Sequence, residues 1–249
     1  IIDVGYTKDI MEKEILNHYT EKKMLIDVSN SKIGQVNGLS VIDTGYFSFG
    51  KPIKITCCCY KGSGNIIDVQ QESNLSGSIH SKSINILKGY MSNINGGFSR
   101  LPVDFHLSFE QIYGKIDGDS ASVAEIISML SALSKVPVKQ NIALTGSVNQ
   151  FGEVQPIGGV NHKIEGFFAA CKVLDTVKDK GVLIPLSNAD DLVLNEEVEQ
   201  EIKNGNFHIY TMTSIDDAIQ VLMGDSEENF ESLMLTISKE LKKYSSSRK

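Results

Sequence analysis

A mixed α/β domain, a twisted β-sheet with helices packed on it, is the fold class this sequence predicts. Short β-rich runs separated by turn formers fill residues 24–109. From Ser120 onward, helix-length and strand-length apolar segments alternate, the pattern of an α/β layer structure. The chain has 249 residues, 41% hydrophobic and 22% charged, enough to bury a sizeable core.

The elements follow in order. Residues 9–22 carry apolar side chains at 10, 11, 15, 16 and 19, near helical spacing, with charges between them. Strands are expected at Met24 to Val28, Val36 to Ile42, Ile53 to Tyr60 and Ile66 to Val69, with Asn37-Gly38 and Gly62-Ser63-Gly64 as turn formers and a largely antiparallel sheet. Residues 79–94 suit a helix, and Val103 to Phe109 alternates with Val103, Phe105, Leu107 and Phe109 on one face. After the Gly114 to Gly118 turn, Val123, Ile126, Ile127, Leu130 and Leu133 form the stripe of a helix. Then come a strand (Asn141 to Val148), a helix (Gly158 to Val173), strands at Gly181 to Pro185 and Phe207 to Thr211, and a helix at Ile215 to Met223. Residues 1–23 read as a helical lead-in from a preceding module, 24–224 as the main domain, and 225–249 as a peripheral helix and tail. The start at Ile1 rather than Met suggests an excised piece of a longer protein.

Composition excludes several classes. A net charge of −7 without a basic block leaves no footprint for nucleic acid or anionic lipid. The apolar runs are strand-sized, short of the roughly 20 residues that cross a bilayer, so no membrane partner is expected. Three of the four cysteines are consecutive, Cys57, Cys58 and Cys59, and the sequence has no zinc-ligand spacing. Reduced thiols on a strand, in the cytoplasm, are the expectation.

Three stretches invite a chemical reading. Gly45 to Lys51 matches a phosphate loop except at its end, where Pro52 replaces the hydroxyl residue and disfavours the required helix. A hairpin is predicted there instead, and any ATP machinery would lie outside this chain. Gly118-Asp119-Ser120-Ala121-Ser122 puts a serine between small residues where a helix begins, so that free amides and the helix dipole can stabilise an oxyanion. The same pattern also serves as a simple helix cap. On the helix after Gly158, Lys163 falls inside the apolar arc of Val160, Ile164, Phe167, Phe168, Cys171 and Leu174. Burial would lower its pKa and leave a neutral amine able to act as a base, whereas snorkelling would keep the ammonium in water.

These stretches resemble the Lon protease family. Gly118-Asp119-Ser120-Ala121-Ser122 resembles the nucleophile motif of its archaeal-type branch. Ala143-Leu144-Thr145-Gly146-Ser147-Val148, followed by Gln155-Pro156-Ile157-Gly158-Gly159-Val160-Asn161-His162-Lys163-Ile164, resembles the lysine segment. The serine and lysine stand 43 residues apart, in keeping with that family. The likeness runs from about Ile26 to about Met223, and Ile79-His80-Ser81-Lys82 looks like bacterial Lon-related proteases.

The resemblance implies the Lon proteolytic-domain fold and a serine endopeptidase. In it Ser120 attacks the scissile carbonyl and Lys163 takes its proton. Thr145 would orient the Lys163 amine, while Asp117 or Asp119 would contact Lys163 or shape the nucleophile loop. It also implies a homohexamer, unfolded proteins or peptides as substrates, no cofactor in this domain, and a AAA+ ATPase module in the same parent chain that would use ATP and magnesium. Two rivals stay open from the residues: a non-catalytic interaction module of the same fold, and a Ser-His-Asp hydrolase using His80, His106 or His162.

Overall fold

Successive side chains on a strand point to opposite faces, and in this protein helices cover both. The computed structural model describes residues 4–94, 100–223 and 230–245. The chain runs through α1 (Val4–Thr20), β1 (Ser31–Lys32), β2 (Gln35–Asp43), β3 (Ser48–Lys61), β4 (Ile66–Asp68), α2 (Val69–Glu72), α3 (Ser78–Ile94) and β5 (Val103–Phe109). It continues with α4 (Ser122–Ser134), β6 (Val138–Lys139), β7 (Ile142–Leu144), β8 (Ser147–Val148), β9 (Val154–Gln155), α5 (Val160–Leu174) and β10 (Lys180–Pro185). A 3-10 turn (Leu186–Asp191), α6 (Glu196–Lys203), β11 (Phe207–Met212), α7 (Ile215–Leu222) and α8 (Phe230–Ser245) complete it.

Seven strands make one mixed sheet in the order β11-β10-β7-β2-β3-β5-β4. The β2, β3 and β5 ladder is antiparallel, whereas β4 joins β5, and β10 joins β7 and β11, in parallel. The two halves meet where β7 touches β2 through one register pair, Gly38 opposite Leu144. Beyond that point, Ser40 to Asp43 have a strand on one side only among the described residues.

On one face, Leu144, Leu183, Ile53 and Ile55 pack with residues of α3, α4, α7 and α8. On the other, Ala143, Val182, Ile184 and Leu39 pack with α5, Val198 of α6 and Phe207. Each fully buried side chain of this size contributes roughly 1.5–3 kcal/mol. The mixed α/β prediction therefore holds, with the seven-stranded sheet between two helical layers.

Several local expectations are corrected. Leu25 to Val28 joins no ladder; at its start Gln111 takes a strand's place, with the Leu25 amide donating to Gln111 Oε1 (2.7 Å) and Gln111 Nε2 to Lys23 O (2.7 Å). Asn37-Gly38 is not a turn. It lies inside β2, where buried Asn37 donates to Asp27 O and Gln140 O, and where a Cβ on Gly38 would stand 2.6 Å from Ile55 Cδ1. The expected strand Asn141 to Val148 breaks after the Thr145 amide makes its last bond to β10, at Leu183 O, because the Gly146 amide turns to Ser120 O. Helix α4 is buried on every side rather than along a stripe. Helix α8 is less peripheral than expected, for Leu233 and Ile237 are fully buried in the main core; residues 227–229 of the expected helix lie outside the described residues. The 3-10 turn, α6 and the short pairs β1–β6 and β8–β9 had no counterpart in the sequence reading.

The phosphate-loop-like stretch is a hairpin. Residues 44–47 form its turn, β3 runs on through Pro52, and Leu39 pairs with Pro52. With no helix after Lys51 and no hydroxyl at 52, these residues do not fit ATP with magnesium.

Candidate active site

The Ser120 loop is held from three directions. Gly118, at φ +98°, turns the chain in a conformation glycine adopts without strain. The Asp117 carboxylate accepts the amides of Gly118 (2.9 Å), Ile79 and His80 (3.0 Å each), tying the loop to the start of α3 and holding its own pKa below the usual range. Ser120 O accepts the Gly146 amide at 2.8 Å, and Ser122, which opens α4, hydrogen-bonds Asp119 O and Ser83 Oγ. Among the described residues the amides of Ser120 and Ala121 bond to nothing in the chain.

Lys163 arrives from the other layer. Helix α5 crosses β3 so closely that a Cβ on Gly50 would overlap the His162 carbonyl and stand 2.8 Å from Lys163 Cα, while one on Gly166 would overlap Gly50 O. Only glycine permits this approach. It brings the Lys163 stem into the interior, with the residue 3% exposed. There Lys163 Nζ donates to Ser120 Oγ at 2.9 Å and to Thr145 Oγ1 at 3.1 Å, and Thr145 Oγ1 in turn donates to Ser120 O at 3.1 Å.

Burial lowers the Lys163 pKa to about 8, with the Asp119 charge opposing that fall. Among the described residues Asp119 makes no hydrogen bond to the amine; its Oδ2 accepts from Ser147 Oγ at 2.9 Å. Of the residues singled out in sequence, Ser120, Lys163 and Thr145 thus meet in one cluster. Asp119 acts on it through space, and Asp117 faces α3.

The histidines make other contacts. His80 Nε2 lies 2.9 Å from Asp68 Oδ2 and His106 Nε2 lies 2.9 Å from Tyr60 Oη. His80 and His162 line the cleft. None of them hydrogen-bonds Ser120 among the described residues.

Some supporting residues escaped the sequence reading. Glu125 on α4 is fully buried, neither carboxylate oxygen has a hydrogen-bond partner, and Oε1 lies 4.0 Å from His80 Nε2. The available signal was that Glu125 is the sole charged residue of Ser122–Ser134, which marks a helix apolar nearly all round. Ser147 and the pair Gly50 and Gly166 gave no such signal.

Ser120 opens onto a cleft of about 850 Å³. Its walls are Leu39 to Asp43 of β2, the loop from Gln111 to Gly118, and Gly158 to Lys163 at the start of α5.

A serine hydroxyl against a buried lysine amine, on a mixed α/β scaffold, is the arrangement that Ser-Lys hydrolases use. The chain belongs to the family of Lon protease (S16) C-terminal proteolytic domains, whose sequence model matches residues 9–225. It is 39% identical over 221 residues to a Lon protease homolog of Escherichia coli strain K12, covering 88% of this chain and 37% of that relative. A homolog of the same name from Haemophilus influenzae is 41% identical over 222 residues, covering 88% of this chain and 36% of the relative. The archaeal Lon protease of Thermococcus kodakarensis is 31% identical over 242 residues, covering 95% and 35%. The chain thus spans little more than a third of the length of these relatives.

Proposed function

We propose that this chain is the peptidase domain of an ATP-dependent Lon-type protease and works as a serine endopeptidase with a Ser120–Lys163 dyad. The observation that carries the reading is the 2.9 Å contact between Ser120 Oγ and a lysine amine whose pKa burial has brought down to about 8.

When the amine is neutral the hydrogen bond reverses, and the Ser120 hydroxyl donates to Lys163. Ser120 Oγ attacks the scissile carbonyl carbon as its proton passes to Lys163 Nζ. The amides of Ser120 and Ala121, at the positive end of α4, are available to the oxyanion. The lysine ammonium then protonates the leaving amine, and an acyl-enzyme forms on Ser120. Water attacks that ester, giving its proton to Lys163, and Ser120 is regenerated. Thr145 fixes the amine by accepting one of its hydrogens. Beside Ser120 lies the one-sided edge of β2, along which an extended, unfolded chain can lie by strand addition.

In this reading substrates are unfolded proteins or peptides. A AAA+ ATPase module of the same parent chain, with ATP and magnesium, delivers them, and the protein assembles as a homohexamer in the cytoplasm. The free state of Cys57, Cys58, Cys59 and Cys171 supports a reducing compartment, and no helix among the described residues is long and apolar enough to cross a membrane.

The test is cleavage of casein or an unstructured peptide, with fluorophosphonate labelling in parallel. Ser120→Ala is expected to lose labelling and at least about 10³-fold in kcat/KM, and Lys163→Ala a similar factor. Activity should rise with pH through about 8, the Lys163 value; a limb near the ordinary histidine value of about 6.5 would instead assign the base to an imidazole. Full activity in Ser120→Ala overturns the reading.

A further inference from the structure

The Gly45 to Lys51 stretch, which resembles a phosphate loop only in sequence, leaves Lys51 beside the cleft. Lys51 on β3 pairs with Ser40 on β2, so the two share a face of the sheet, and both line the cleft that holds Ser120. Lys51 is half-buried. Among the described residues its ammonium has no hydrogen bond and no ion pair, and burial alone depresses its pKa. Ser40 Oγ is buried and likewise makes no hydrogen bond.

The carboxylates lining the same cleft and groove make other contacts and none pairs with Lys51 among the described residues. Asp43 Oδ1 accepts the Gly45 amide at 2.8 Å, and Asp117 accepts three amides. Lys51 also borders the groove between α1 and α5, where Glu12 pairs with Lys8 at 3.7 Å and Glu165 Oε1 accepts the Asn195 amide at 2.9 Å. Lys115, which also lines the cleft and has no ion pair among the described residues, is exposed. A half-buried cation without an anion is poorly solvated, and the ligand that corrects this is a carboxylate brought by the substrate.

We propose that Lys51 forms a subsite for an acidic side chain, so that the cleft prefers peptides carrying Asp or Glu near the scissile bond. The proposal rests on the reading of Ser120 as nucleophile for its cleavage test, and on the cleft alone for its binding test. The hairpin supplies no helix N-terminus, which sets the subsite apart from a phosphate site.

The experiment compares fluorogenic peptides with Glu, Gln or Lys scanned through the positions flanking the cleaved bond. At one position Glu is expected to exceed Gln by about tenfold in kcat/KM, an effect that added salt weakens. Lys51→Gln levels that ratio while the melting temperature stays near wild type. Lys51→Arg keeps the ratio, and Lys51→Glu turns the preference toward Lys. Equal loss on all peptides, an unchanged ratio in Lys51→Gln, or no Glu preference in the wild-type chain overturns the proposal. Binding of the same peptides to Ser120→Ala, followed by fluorescence anisotropy, needs no turnover. A Glu preference there that vanishes in Ser120→Ala/Lys51→Gln upholds the subsite even if Ser120 is not the nucleophile.

Discussion

Helices α4 and α5 each deliver one half of the candidate dyad, and they are held by opposite means. Every residue of α4 is buried, and the loop before it is laced by the side chains and amides around Asp117, Asp119, Ser122 and Gly146. Helix α5 is buried on one side, and its distance from the sheet is set by backbone contact at Gly50 and Gly166. The serine is therefore positioned redundantly, by many contacts that can each give a little. The lysine is positioned by one contact that cannot.

Substitutions of similar thermodynamic cost on the two sides should separate this difference. Gly50→Ala forces β3 and α5 apart, with an expected destabilisation of about 2–4 kcal/mol. Because the displaced element carries Lys163, the molecules that remain folded should also lose about 10²-fold in kcat. Leu130→Ala, in the middle of α4, opens a cavity at a similar cost of about 2–5 kcal/mol. Measured at a temperature where both variants are folded, it should keep kcat/KM within about threefold of wild type, because no backbone is pushed toward Ser120. Equal catalytic loss in the two variants would refute the contrast.

The buried carboxylate of α4 gives a second, smaller test. Burial raises the Glu125 pKa from 4.5 to about 7, the Asp68 charge adds to that rise, and His80 opposes it. The folded chain thus holds the Glu125 proton more tightly than the unfolded chain. The associated stability is fully present below pH 4.5 and is lost as pH rises through about 7. His80 carries its own shift: burial disfavours its charge, but the hydrogen bond to Asp68 and the charges of Glu125, Asp68 and Asp117 raise its pKa overall, so its contribution fades with rising pH too. Glu125→Gln, which keeps shape and cannot ionise, isolates the carboxylate. In denaturant titrations it should stabilise the chain at pH 8 by on the order of 1–3 kcal/mol relative to pH 5. A variant-to-wild-type difference that is the same at both values would show that Glu125 does not change charge in this window.

What the sequence could disclose follows the same division. Helix α5 was legible, Lys163 included, because a half-buried helix writes its inner face into a 3.6-residue period and a cation on that face stands out. Helix α4 was read as a stripe because periodicity reports contrast between faces, and a helix buried all round has little. The hairpin at Gly45 to Lys51 was legible from Pro52. The end of β7 was not, since the Gly146 amide leaves the ladder for a partner at Ser120 that is distant in sequence. For the same reason the roles of Asp117 and Asp119 could not be divided in advance. The turn at Gly118 sends one carboxylate to α3 and the other to Ser147.

The smallest expected effect lies where the two halves of the pair meet, at Thr145. Its hydroxyl accepts from Lys163 Nζ and donates to Ser120 O, so it hydrogen-bonds to both halves of the pair. Thr145→Val keeps the volume and removes both bonds. Ser120 O keeps the Gly146 amide at 2.8 Å, so the serine loop should hold and global stability should fall by about 1 kcal/mol or less. The lysine amine keeps only Ser120 and loses its orientation, which should reduce kcat/KM by about tenfold. An acceptor facing Nζ favours the charged form, so its removal lowers the Lys163 pKa further and moves the activity limb from about 8 toward lower pH. Thr145→Ser retains the hydroxyl and should restore both the rate and the limb. If the valine variant matches wild type in rate and pH profile, the lysine is held by its apolar surroundings alone and the threonine is only filling space.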